Sequence, residues 1–141
     1  MSIESHLDWK GLKESARVAR LTLDTLTKQV RPGVTTGELD DNAARLFAVH
    51  GARSAPAFTY GFPRTVLISI NDEIVHGIPG TRRIASGDIV KLDVTVEKDG
   101  YVTDAARSVV VSPAGATAHA LATCAEAAFG AALAVARSGM R

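Results

Sequence analysis

The chain has 141 residues, 16 Lys and Arg against 15 Asp and Glu, one Cys and 46% hydrophobic residues. That length suits a single domain over residues 1–141, with enough apolar content to bury a core. A formal charge of +1 gives no electrostatic footprint for nucleic acid or an anionic membrane. No run reaches the roughly 18 apolar residues of a membrane span. The opening MSIESHLDWK lacks the apolar core and small-residue cleavage site of a secretory signal. A lone Cys124 excludes an internal disulfide, and its Ala-rich surroundings predict a small buried thiol. A soluble, cytoplasmic chain with neither nucleic-acid nor membrane partner is expected.

From Trp9 to Val30 the apolar positions Trp9, Leu12, Ala16, Ala19, Leu23, Leu26 and Val30 recur at alternating steps of three and four, one stripe of an amphipathic helix. Asp8 is its expected N-cap, and Arg31-Pro32-Gly33 stops it. Thr35 and Glu38 form a capping box that opens a second helix through Leu39, Ala43, Leu46, Phe47 and His50, ended by Gly51. Residues 52–63, ARSAPAFTYGFP, read as a loop packed by its own rings. Thr65–Ile70 reads as a short strand. Ile89–Val96 and Tyr101–Val111 are β-rich, with Asp99-Gly100 a hairpin turn between them. The Ala-rich stretch from Thr117 to Arg137 reads as a helix.

Asp93 and Asp104 interrupt the two long strands, where Asp is disfavoured. If Asp99-Gly100 is a two-residue turn, positions summing to 199 lie opposite, so Thr95 faces Asp104 and Asp93 faces Ala106. Both carboxylates then share one face. A three-residue loop would separate them. Two such carboxylates repel unless compensated, either by a divalent cation or by salt bridges to neighbours such as Lys91 and Arg107. Two ligands alone do not complete a metal site. His76, in a His-Gly-Ile-Pro loop after a strand, could bind metal, donate to a substrate carbonyl or satisfy local backbone.

The run Pro32-Gly33-Val34-Thr35-Thr36-Gly37-Glu38-Leu39-Asp40, then Gly61-Phe62-Pro63, Ile68-Ser69-Ile70-Asn71-Asp72-Glu73-Ile74-Val75-His76-Gly77-Ile78-Pro79, Gly87-Asp88-Ile89-Val90-Lys91-Leu92-Asp93-Val94-Thr95 and Asp99-Gly100-Tyr101-Val102-Thr103-Asp104-Ala105-Ala106-Arg107 resembles the type 1 methionine aminopeptidases. The His-Gly-Ile-Pro segment favours that branch over the proline dipeptidases and nucleic-acid-associated relatives of the same fold. The resemblance implies an α+β pita-bread fold, of which this sequence matches the N-terminal half: two helices, an antiparallel hairpin sheet and a C-terminal helix. It implies a centre of two divalent metal ions, drawn from Co, Mn, Fe, Zn or Ni, with Asp93 and Asp104 as metal ligands. His76 would contact substrate, and Phe62, Pro56, Thr59 and Leu67 fall in the region lining the methionine pocket. The implied activity removes the initiator methionine from nascent polypeptides. The catalytic set is not complete in this sequence: the family's histidine ligand, two glutamate ligands and second substrate-contacting histidine would lie beyond Arg141. They would come from a missing C-terminal half, or a homodimer would bring two Asp93–Asp104 pairs together. The alternative is a catalytically inactive pita-bread half acting as a metal- or protein-binding remnant.

Overall fold

The computed structural model describes residues 3–139. The elements in order are α1 (His6–Gln29), α2 (Thr36–Val49), β1 (Arg53–Ser54), α3 (Ala55–Tyr60), β2 (Leu67–Ile70), β3 (Ile89–Lys98), β4 (Tyr101–Val110) and α4 (Ala116–Val135). All strand pairs are antiparallel, and β3 is the hub. β4 pairs with it from Ile89↔Val110 to Lys98↔Tyr101, so β2 and β1 follow one another along its other edge.

The β3–β4 connection is the expected two-residue turn. Asp99 and Gly100 have φ of 52° and 88°, the two positive values that a hairpin turn matching strand twist requires. The resulting register alternates sharply. Val90, Leu92, Val94 and Val96 are completely buried against Val18, Leu23 and Leu26 of α1 and Leu39 and Phe47 of α2, joined by Ile68 and Ile70 of β2. Each fully buried aliphatic side chain contributes about 1.5–3 kcal/mol. The opposite face carries Leu67, Ser69, Lys91, Asp93 and Thr95, because directly paired antiparallel residues project to the same side.

The capping box of α2 forms as expected, with the Thr35 hydroxyl accepting from the Glu38 amide and the Glu38 carboxylate accepting from the Thr35 amide. α1 differs in two respects. Its N-cap is Ser5, whose hydroxyl accepts from the Asp8 amide, so Asp8 lies within the first turn instead of preceding it. Its buried row runs through Ser15, Val18, Ala19, Thr22, Leu23 and Leu26, while Ala16 is exposed and Trp9 is 46% exposed beneath the Lys13 ammonium. The helix lies too close to the sheet for large side chains throughout. The Tyr101 ring rests on Gly11, and the Ser15 hydroxyl reaches both the Val96 carbonyl and Thr103.

The expected loop over 52–63 instead contains β1 and α3. Ser54 caps α3 with its hydroxyl, Pro56 sits in the first turn where its missing N–H is harmless, and Gly61 ends it at φ 73°. α4 forms, but none of its residues is buried, and Cys124 is exposed, against the expectation of a buried thiol. The main contact of the helix is with β4, and this leaves its small side chains largely exposed. No uninterrupted apolar run of membrane length occurs in α4, which contains Thr117, His119, Thr123 and Glu126. Among the described residues α4 is one helix long and apolar enough to span by length and composition. Much of that apolarity is alanine; its larger side chains are Leu121, Phe129, Leu133 and Val135, all exposed.

Candidate active site

The hairpin brings the two sequence-identified carboxylates together. Asp93 pairs with Ala106 and Thr95 with Asp104, so the acids stand diagonally on the face away from the core. Asp93 is half-buried, and that burial raises its carboxyl above the ordinary aspartate range. The Asp104 charge and a hydrogen bond shared with Asp104 raise it further, while Lys91 and His76 act weakly against the shift. Asp104 is exposed, and its Oδ1 accepts from the Thr95 hydroxyl at 2.9 Å.

The salt-bridge explanation for these acids is not what the structure holds. Arg107 pairs with Asp24 at 2.9 Å on the α1 side. The Lys91 ammonium donates to the Ile74 carbonyl. Among the described residues neither Asp93 nor Asp104 has an ion-pair partner. Two close carboxylates without compensating charge suit a hard or borderline cation as donors. They make only part of a ligand set, since no group of three or more His, Cys, Asp or Glu side chains converges among the described residues.

His76 has φ 59°, a left-handed conformation uncommon for a residue with a Cβ. Its ring stacks on Tyr60, with centroids 6.2 Å apart and planes at 22°. Tyr60 in turn meets Phe62 edge-on, with centroids 6.4 Å apart. An aromatic row therefore links His76 to Phe62 through Tyr60, a residue the sequence reading did not single out. Its only signal there was the ring-rich TYGF run. Leu67 stands directly opposite Asp93 and is buried. Phe62 also lines a hollow of about 530 Å³ with Phe47, Ala57 and Arg64. Pro56 is buried and accepts from the Phe62 amide at 3.3 Å. Thr59 is exposed, its hydroxyl donating to the Ala55 carbonyl at 2.7 Å. The site face thus gathers Asp93, Asp104, His76 and Leu67, with Phe62 joined through Tyr60; Pro56 and Thr59 stay engaged within α3.

Two other acids of the matched segments are committed locally. Glu38 belongs to the α2 cap. Glu73 accepts from the Ile70 amide at 2.8 Å and pairs with Arg82.

Residues 10–141 match the metallopeptidase family M24. A methionine aminopeptidase of Staphylococcus epidermidis is 43% identical over 111 residues, covering 79% of this chain and 44% of that protein. Methionine aminopeptidase 2 of Bacillus subtilis is 36% identical over 142 residues, 100% of this chain and 57% of that one. The crystal structure of a methionine aminopeptidase from Thermotoga maritima superposes with TM-score 0.95 at 22% identity, covering 100% of this chain and 57% of that chain. The architecture is therefore that of the pita-bread fold. The chain spans about half the length of the relatives it matches.

Proposed function

The chain belongs to the metallopeptidase family M24, and from that membership we propose that it carries the N-terminal part of a methionine aminopeptidase site. The observation that supports this reading best is the pair Asp93–Asp104, which converges with no ion-pair partner among the described residues and has His76 near it. The substrate is the N-terminal methionine of nascent polypeptides, met in the cytoplasm.

Asp93 and Asp104 are the proposed ligands for two divalent ions, of the Co, Mn, Fe, Zn or Ni class. A cation held there supplies Lewis acidity towards a peptide carbonyl and towards water. Thr95 orients Asp104 by occupying one lone pair of Oδ1. The His76 imidazole hydrogen-bonds the substrate's peptide group and holds it over the carboxylates. Phe62 and Leu67, with Pro56 and Thr59 at the edge, form the apolar slot that takes the methionine side chain. A free amino terminus fits beside two acidic groups and selects for an exopeptidase. The residues that complete the ligand set, a histidine and two glutamates by resemblance, come from the portion of the relatives' length that this sequence does not span.

The test is methionine release from a Met-Ala-Ser peptide by the purified chain with Mn²⁺ or Co²⁺, beside the Asp104→Ala variant. Release that the substitution abolishes supports the reading. Release equal in the two proteins, at any metal concentration, overturns an aminopeptidase role for this chain by itself.

A further inference from the structure

We propose that the cross-strand pair Ser69 and Lys91 acts as a two-point clamp that fixes His76 over the two carboxylates, making both of them positioning residues. The inference rests on the reading of His76 as substrate-contacting given above.

Ser69 and Lys91 stand directly opposite each other on β2 and β3, one pair further along the same face than Leu67 and Asp93. Each reaches out to the backbone of the loop that bears His76, one on either side of it. The Ser69 hydroxyl, in a residue only 2% exposed, accepts from the Gly77 amide at 3.2 Å. The Lys91 ammonium donates to the Ile74 carbonyl. A third tie runs between backbones, from the Ile68 amide to the Gly77 carbonyl at 3.0 Å. The approach there is so close that a Cβ on Gly77 would lie 2.1 Å from the Ile68 carbonyl oxygen, which explains the glycine.

These ties bracket the one residue between them whose backbone is strained. His76 has φ 59°, in the left-handed region. Such a conformation persists when the surrounding structure over-determines it. Here residues 74 and 77 are both anchored to adjacent strands, and the ring stacks on Tyr60. The same strand pair that aims Asp93 therefore aims His76, so the imidazole and the carboxylate keep a common frame. Lys91 is then explained as well. A cation two residues from a metal-binding carboxylate would compete for it, but its ammonium is directed to the Ile74 carbonyl instead.

The experiment compares the full chain with Ser69→Ala and Lys91→Met, neither of which adds bulk. Amide hydrogen exchange and NMR relaxation of the His76 ring are read without metal. The expected result is exchange about tenfold faster at Gly77 in Ser69→Ala, and increased ring motion of His76 in both variants, with exchange of the Leu92 and Val94 amides unchanged. An unchanged His76 ring in either variant overturns the clamp. So does an acceleration of all amides together, which marks a merely structural role. Where the parent releases methionine, both variants should lose about tenfold in kcat with little change in KM. A parent with no release shows that this chain is inactive without the residues it does not span, and it leaves the clamp to be decided by the exchange and relaxation arms.

Discussion

Asp104 lies diagonally across the β3–β4 hairpin from Asp93, and the residue directly opposite it, Thr95, donates a hydrogen bond to its carboxylate. The arrangement places two acids together with no ion-pair partner among the described residues, a cost to the metal-free fold that a cation would relieve. Burial and the Asp104 charge hold the Asp93 pKa above its unfolded value. The folded state therefore binds that proton more tightly than the unfolded state, and the group's contribution to stability declines as pH rises through its folded pKa. At neutral pH the ionised carboxylate is a net penalty. Asp93→Asn should accordingly raise the urea midpoint of the metal-free chain at pH 7. Mn²⁺ at a hundred times its dissociation constant should stabilise the parent by about 2.7 kcal/mol and leave the variant unmoved. Equal metal-induced shifts in the two proteins would remove Asp93 from the ligand set.

Much of this placement was legible before any coordinates. The Asp99-Gly100 dipeptide sets the turn, the turn sets the register, and the register puts both acids on one face. The Thr35–Glu38 capping box was equally readable, because its chemistry is confined to four consecutive residues. The parts that were not readable depend on neighbours remote in sequence. The buried row of α1 includes Ser15 and Thr22 because the sheet approaches closely, which no periodicity of α1 alone reveals. α3 was hidden by proline, glycine and ring content typical of loops, although its own Ser54 cap suffices to start it. The exposure of α4 concerns what lies over the helix, and an Ala-rich sequence carries no record of that. The part played by Tyr60 and Ser69, and the turn of Lys91 towards the Ile74 carbonyl instead of the acids, became visible only when β2 and β3 were paired and the loop folded back on them.

Glu97 gives the acid limb of stability a specific residue. Its carboxylate is buried, faces Arg53 across the β1–β3 pair, forms an ion pair with it and accepts from the Gly100 amide at 2.7 Å. Burial pushes its pKa up, but the Gly100 amide and the Arg53 guanidinium outweigh that, leaving it below the ordinary glutamate value. The stabilisation is therefore present above the unfolded pKa of about 4.3 and is lost as pH falls through the folded pKa. Glu97→Gln should be less stable than the parent at pH 7, and the two unfolding midpoints should converge as pH falls towards 3. A gap that stays constant across that range would show that shape, not charge, sets the contribution.

Asp40 serves as an acceptor for β2's approach. Its Oδ1 accepts from the Thr65 and Val66 amides at 2.8 and 2.9 Å, and the residue is 3% exposed. Burial raises its pKa against the pull of those amides and of Arg64. Among the described residues the two N–H groups have no other partner, so removing the acceptor strands them. Asp40→Ala should cost about 2–4 kcal/mol of unfolding free energy. Asp40→Asn retains a carbonyl oxygen at the same place and should cost distinctly less. Equal losses in the two variants would show that the charge facing Arg64, not the acceptor, is what holds Thr65 and Val66.

Thr22 offers the opposite case, a polar atom the fold would do better without. The residue is completely buried on α1, and its hydroxyl is the one buried side-chain polar atom without a hydrogen-bond partner among the described residues. Desolvating an unpaired hydroxyl costs about 1–3 kcal/mol. Valine has nearly the same shape and nothing to desolvate. Thr22→Val should therefore stabilise the chain by about 1 kcal/mol, or about 3 °C in Tm for a protein of this size. Thr22→Ser keeps the hydroxyl and loses the methyl, so it should fall below the parent by about 1 kcal/mol. The pair of variants separates polarity from packing in one thermal-unfolding experiment. A valine variant no more stable than the parent would mean that the hydroxyl is satisfied in solution, by a water or by the carbonyl one turn earlier in α1.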